Sequence, residues 1–321
     1  MNEEVEQHGT RRISVIDPLS QSIDWAREVL FRPFNFEKWI VLGFCAWLAI
    51  LGDCGGGSGG NGSSRWEPGD RQIGRGLDEA WHWVVDHLVE ILTIGGIVVC
   101  CCFAFWLLLL WISSRGKFMF LDGVVHNRAA VVEPWKRYRV QANSLFFLRV
   151  GLGLAGLIVI VSILLVMGLV IWSRSGMRQP DPLMIVTVVF AVMAIIVVAF
   201  VLTLLELMIN DFVVPLMYLR SNRVGAAWSE FWGLFLARPG AFILYVLVKI
   251  VMAVVLALIG LIACCLTCCI ALLPYIGTVI LLPLHVFKQA YPLYFLGQFG
   301  PRYARFAALG PEPETGTADV V

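Results

Sequence analysis

Three ionisable side chains stand where the chain is otherwise apolar. Glu206 and Asp211 close one long hydrophobic run, and Lys249 lies seven residues after Phe242 inside another. A charge at membrane depth is costly, so such residues mark a pathway, a relay or a structural clamp. At about 1.5 Å per residue, Lys249 sits about 10 Å into its run, a depth similar to that of Glu206. The two depths leave an ion pair between Glu206 and Lys249 geometrically open, either as a clamp between helices or as part of a polar path for a small solute or ion. His285, two residues after Pro283, reads as a packed imidazole.

Other spacings point to weaker chemistry. Glu79, His82, Asp86 and Glu90 recur on one helical face, and an imidazole one turn from a carboxylate can chelate a divalent metal. His82 and Asp86 are the residues such a site would use. The simpler expectation is a solvated polar face, and no metal or cofactor is expected. Seven of the nine cysteines fall in "CCC" at 100–102 and "CCLTCC" at 264–269. Cys264, Cys265, Cys268 and Cys269 admit two readings. They form disulfides if their compartment oxidises, or Cys264 and Cys268 extend the small-residue stripe Ala253, Ala257, Gly260 that lets membrane helices approach. Gly151, Gly153, Ala155 and Gly156 suggest the same packing role in the third apolar run. The glycine-rich stretch after Asp53 lacks the Lys-Ser or Lys-Thr of a phosphate-cradling loop and reads as a linker. No hydrolytic or transfer motif is present, so an enzyme is not expected.

The elements that carry these residues follow from composition. Of 321 residues, 59% are hydrophobic and only 15% charged, with a mean hydropathy of +0.80. That inventory cannot furnish a water-facing surface. Ile91–Ile112, Val150–Trp172 and Leu183–Leu205 each run about 22 residues without a charge, enough to cross about 30 Å of hydrocarbon. Six spans are expected, at about 39–53, 91–112, 150–172, 183–206, 242–263 and 270–287. The first is short, and Lys38 would have to snorkel outward to lengthen it. No cleavable signal peptide is expected, since the first 38 residues are polar and carry charges of both signs. Of the 24 Lys and Arg, 18 fall on one side of these spans. The bias places both termini in the cytoplasm and the protein in the cell's inner, or cytoplasmic, membrane. The net charge of +1 gives no indication of nucleic acid.

The spans also repeat. "WAREVLFRPFNF" from Trp25, "WKRYRVQANSLF" from Trp135 and "FWGLFLARPGAF" from Phe231 each begin with an aromatic residue. Each places a helix breaker eight residues later (Pro33, Asn143, Pro239) and a Phe eleven residues from the start. Upstream, Asp17, Asn127 and Asn222 are candidate helix caps. Val131, Trp135, Tyr138, Ala142 and Leu145 form one face of the second copy, with Glu133, Lys136, Arg137 and Arg139 opposite. Ala227, Phe231, Leu234 and Phe235 form the stripe of the third, and Leu19, Ile23, Ala26 and Leu30 that of the first. Each copy reads as an amphipathic helix lying in the headgroup plane before a transmembrane hairpin. The expected fold is an all-α, polytopic membrane helical bundle of six transmembrane helices in three such repeats. The repeats cover about 15–114, 115–220 and 221–300 of a single membrane domain, 15–300. Residues 1–14 form a flexible lead and 301–321 a disordered tail.

At "LFRPFNFEKWIVLGFCAWLAILG" and the glycines that follow, the chain resembles a family of uncharacterised prokaryotic multi-pass proteins. The repeat of helix plus hairpin is similar to the membrane domain found beside some glycerophosphoryl diester phosphodiesterases. The resemblance implies an all-helical bundle and brings no catalytic residues. Lys136, Arg137 and Arg139 lie in a connection with seven Lys and Arg, which anionic lipid would attract. The expected function is a non-enzymatic scaffold or accessory whose three cytoplasmic helices bind lipid headgroups or a partner protein. The alternative is a small transporter or channel using Glu206, Asp211 and Lys249.

Overall fold

The computed structural model describes residues 13–32, 34–53, 87–174, 182–220, 222–267, 273–300 and 302–303. They form helices throughout, with no strand among the described residues. In chain order these are α1 (Asp17–Phe31), α2 (Phe36–Ile50), α3 (Leu88–Val125), α4 (Val132–Arg137), α5 (Arg139–Arg174) and α6 (Pro182–Met208). One wide π-type turn, Ile209–Val213, joins α6 to α7 (Val214–Arg220). Then follow α8 (Val224–Ala237), α9 (Pro239–Leu266), α10 (Pro274–Ile280) and α11 (Leu282–Gly297).

Among the described residues four helices are long and apolar enough to cross a membrane, where six spans were expected: Thr93–Val125, Arg139–Ser173, Pro182–Arg220 and Pro239–Leu266. The expected first span is α2, whose 15 residues reach only about 22 Å. The expected sixth is divided at Leu281 into α10 and α11, each with a proline in its first turn, where a proline is tolerated because its missing N–H is not needed. Conversely, the segment expected to connect the second and third spans is mostly helix. No proline interrupts "SSRGKFMFLDGVV", so α3 runs 38 residues, about 57 Å.

Each long helix has two environments. In α3 the side chains from Thr93 to Leu109 are exposed or half-exposed, whereas most from Leu110 to Val125 are buried. In α6 only Ala191 is buried, yet the wide turn and α7 are nearly all interior. In α9 the buried residues are Phe242, Tyr245, Lys249 and Met252, all in the first half. The exposed halves carry apolar side chains suited to lipid. The buried halves join α1, α2, α4, α8, α10 and α11 in a compact layer at one end of the spans.

The layer is held by two clusters. In one, the Phe212 ring meets Phe231, Phe242, Tyr245 and Phe295 at 5.6, 5.1, 4.8 and 5.9 Å between centroids. In the other, Trp25, Val29, Leu42, Ala46, Met119, Phe120 and Val286 pack α1 and α2 against α3 and α11. Glycine decides how closely α2 lies on α3. A Cβ on Gly116 would fall 2.6 Å from main-chain atoms of Leu48 and Ala49, and Ser113 Oγ donates to the Ala49 carbonyl at 2.7 Å.

The three lead-in segments differ in detail from the expected repeat. Breaks at Arg32–Asn35 and Arg238 fall beside Pro33 and Pro239. In the second copy α5 runs straight through Asn143, and the break lies five residues earlier at Tyr138. Tyr138, Ala142 and Leu145 are buried with Glu133, Lys136, Arg137 and Arg139 exposed, and Ala227 and Phe231 are buried on α8. In α1 the interior face is Pro18, Ser22, Trp25, Ala26 and Val29, and Ile23 is exposed. None of Asp17, Asn127 or Asn222 is a cap. Asn35 does cap a helix, accepting from Glu37 and Lys38 N–H at 3.0 and 3.4 Å. Lys38 does not reach outward but turns in to the Val29 carbonyl and the Asn127 amide oxygen.

The small-residue stripes divide as well. Gly153 lies against the Trp106 ring, and Gly156 lets Leu202 of α6 close in. Among the described residues a Cβ on Gly151 or Gly260 would meet nothing within 4 Å, so none of them packs on the α9 stripe at Gly260. Cys268 and Cys269 lie outside the described residues, as do 1–12 and 304–321 of the two terminal segments, the glycine-rich stretch, His82 and Asp86.

Candidate functional site

Charged side chains from five helices and from the end of α2 converge where the spans enter the layer. Asp53, three residues past α2, is met by Lys117 of α3 at 3.0 Å and by Arg149 of α5. It therefore stands level with Lys117 and Arg149, not across the membrane from them as a first span over 39–53 would require. Lys117 also donates to Asn210 Oδ1 at 2.7 Å. Arg149, buried, reaches Glu206 of α6 at 2.6 Å and Ser113 Oγ at 3.3 Å. Lys249 of α9 pairs with Asp211 at 2.9 Å, and Tyr245 donates its hydroxyl to the same carboxylate oxygen at 2.8 Å. The Lys249 ammonium lies 5.8 and 5.9 Å from the Tyr245 and Tyr291 ring centres, within range of cation–π attraction.

The Glu206–Lys249 pair that depth left open is thus replaced by two others. The cause is the wide turn. It offers Asn210 to Lys117 and Asp211 to Tyr245 and Lys249, while Glu206, a turn earlier, faces Arg149. All three residues singled out in the sequence do come together, around one cavity of about 350 Å³. Sequence reasoning missed Asp53, Lys117, Arg149 and Lys288, which join them there or at its edge.

The cavity is lined by α2, α3, α6, α7, α9, α11 and the wide turn, with Ala46, Ala49 and Phe120 on its apolar side. His285, Lys288 and Gln289 of α11 complete it. Burial alone would raise the Asp53 carboxyl, but the Lys117 and Arg149 charges outweigh it and hold Asp53 below its ordinary range. Burial, with Lys288 adding to it, pushes the His285 imidazole down to about 4, so it is neutral at pH 7. On the other side of α9 and α11 lies an apolar groove of about 460 Å³, bordered by Ile23, Val251, Val255, Leu284 and Phe287.

A second polar cluster lies at the far end of the layer. Asp122 is fully buried and accepts from Arg128 at 3.0 and 3.2 Å, Tyr218 at 2.9 Å and Tyr138 at 3.3 Å. It ties the end of α3 to α5 and α7, a structural knot with its acceptors filled. The basic residues Lys136, Arg137 and Arg139 are exposed on α4 and α5 and do not line the cavity. Arg115, their neighbour, is held between Trp111 and Trp135, its guanidinium 4.3 and 4.8 Å from the two rings. Among the described residues no three His, Cys, Asp or Glu are grouped to hold a metal ion.

Residues 13–284 match a family described as "Family of unknown function (DUF7544)". No curated protein and no solved structure matches the chain.

Proposed function

The chain belongs to that family of unknown function, and we propose that it is a non-enzymatic membrane protein that receives lipid headgroups at one face of the bilayer. One observation carries the reading. The charged cavity of about 350 Å³ lies where α9 parts from α6, at the end of four apolar helices. Beside Lys249, Ile250 is exposed, and Phe200 and Val201 are exposed just before Thr203 and Glu206 on α6. A ligand entering between these helices meets hydrocarbon-compatible walls first and charges second, which is the polarity of a lipid.

The cavity face is the cytoplasmic one in this reading, supported by the excess of Lys and Arg there, and both termini lie on that side of the cell's inner membrane. Lys136, Arg137 and Arg139 would meet anionic headgroups or a protein partner from outside the cavity. The threefold repeat and its kinship in architecture with the phosphodiesterase-associated membrane domain belong to the same proposal. They rest on the shared helix–break–helix pattern, and the family match itself carries no link to those enzymes.

The test is lipid retained by the purified full chain, measured by native mass spectrometry. Gln289→Trp, which fills the cavity from an edge that makes no hydrogen bond among the described residues, should strip most of it. Undiminished lipid in that variant would sink the reading. Transport of a small solute is the second reading, favoured by Glu206, Asp211 and Lys249 lining one cavity. Proteoliposome flux that Glu206→Gln abolishes would select it.

A further inference from the structure

The charges around the cavity do not balance, and the surplus has an address. Lys117, Arg149, Lys249 and Lys288 stand against Asp53, Glu206 and Asp211. Each carboxylate already has its cation: Lys117 and Arg149 on Asp53, Arg149 on Glu206, Lys249 on Asp211. Lys288 has neither an ion pair nor a hydrogen bond among the described residues. The His285 and Gln289 side chains line the same cavity and likewise make no hydrogen bond among the described residues. At i, i+3 and i+4 on α11 the three share one helical face.

That face therefore presents an exposed ammonium and a half-buried imidazole N–H and amide NH₂ to an open cavity. All three can donate, and the single unspent charge is positive. A phosphate group, whose oxygens only accept, satisfies the set, and charge-assisted bonds to its oxygens are the strong ones. The volume of about 350 Å³ exceeds by about tenfold the ~30 Å³ that a water takes in the liquid, which leaves room for more than the phosphate alone. The exposed apolar residues of α6 and α9 at the opening favour a phosphate that arrives attached to hydrocarbon.

We propose that Lys288, with His285 and Gln289, recognises the phosphate of a phospholipid headgroup in this cavity, an assignment that rests on the lipid reading above. The cations already paired with carboxylates hold the cavity open and leave Lys288 to select.

The full chain in detergent is offered phosphatidylglycerol or diacylglycerol with the same acyl chains, and retention is read by native mass spectrometry. Wild type should retain the phospholipid at least about tenfold over diacylglycerol, the order expected for one charge-assisted contact. Lys288→Gln should bring that ratio to about one, and Lys288→Arg should preserve it. Lys288 makes no bond whose loss would unfold the protein, and the arginine variant controls for packing. Equal retention of the two lipids by wild type would overturn the phosphate assignment while leaving the lipid reading intact. Retention of neither would remove both. Inorganic phosphate displacing phosphatidylglycerol at equal concentration would show that the site reads free phosphate, and the lipid half of the proposal would fall.

Discussion

Lys249 stands 2.9 Å from Asp211, while Glu206 turns to Arg149 at 2.6 Å. The two ion pairs differ in setting. Lys249 and Asp211 are both buried, whereas half of the Glu206 side chain is exposed. Attraction between charges grows as water is excluded, and so does the penalty for leaving one behind. The Lys249–Asp211 pair is accordingly the fixed joint between α9 and the wide turn, and Glu206 is the carboxylate that water and ligand can reach.

Removing one member of the fixed joint should therefore cost more than removing both. Lys249→Met leaves Asp211 with the Tyr245 hydroxyl as its one hydrogen-bond partner among the described residues, and breaking a buried pair from one side costs about 3–5 kcal/mol. Adding Asp211→Asn should recover most of that. Thermal unfolding in detergent measures it, and a double variant no more stable than Lys249→Met would show that the two residues do not act as a pair.

Gly116 should tolerate no side chain. The clash of its Cβ position is with main chain of α2, 2.6 Å away, so relief requires the helices to separate. Gly116→Ala should destabilise by about 1–3 kcal/mol, as overpacking does. Gly260→Ala, with nothing within 4 Å, is the matched control, and equal effects from the two would refute the close crossing of α2 and α3.

Acid should act first through His285. Its imidazole is held down to about 4 in the fold, whereas an unfolded histidine takes its proton near 6.5. Between those values the unfolded chain binds more protons, so the stability contributed is whole above about pH 6.5 and declines as pH falls toward 4. Asp53 acts lower still. Its folded carboxyl lies below the ordinary range, and its contribution is lost only as pH falls through that depressed value. Unfolding temperature followed from pH 7 to 3 should show the first decline flattened in His285→Gln. An unchanged slope would assign the acid response to other groups.

The exposed basic residues should matter for the surroundings and not for the fold. Charge reversal of Lys136, Arg137 and Arg139 should leave the unfolding temperature nearly unchanged, as surface substitutions usually do. It should lower enrichment of anionic lipid around the protein in nanodiscs, at about 1 kcal/mol per basic residue near the surface. Enrichment that survives the reversal, or that ignores salt, would remove these residues from headgroup contact.

What the sequence made legible was whatever one helix encodes by itself. Charge-free length identified α3, α5 and α6, an apolar run interrupted only by Lys249 identified α9, and helical spacing identified the buried faces through Tyr138, Ala142 and Leu145 and through Ala227 and Phe231. Proline marked two of the three breaks. Depth along the chain brought Glu206, Asp211 and Lys249 to one level. Their partners were not legible, because pairing depends on which helices are neighbours. Asp53 meets Lys117 and Arg149 across 64 and 96 residues of sequence, and no local pattern records that. Asn143 misled because an Asn is only a weak helix breaker, and α5 runs through it. The first expected span misled because an apolar stretch of 15 residues suits a buried helix in the layer as well as a short crossing.

The wide turn at Ile209–Val213 also fixes how the gene can vary. Each residue advances a helix by about 100°, and the extra one here sets α7 in a different rotational phase from α6. Excising a single codon in this stretch would swing Phe212 out from among Phe231, Phe242, Tyr245 and Phe295, and inserting one would do the same in the opposite sense. Five positions in mid-helix should therefore forbid any change in length.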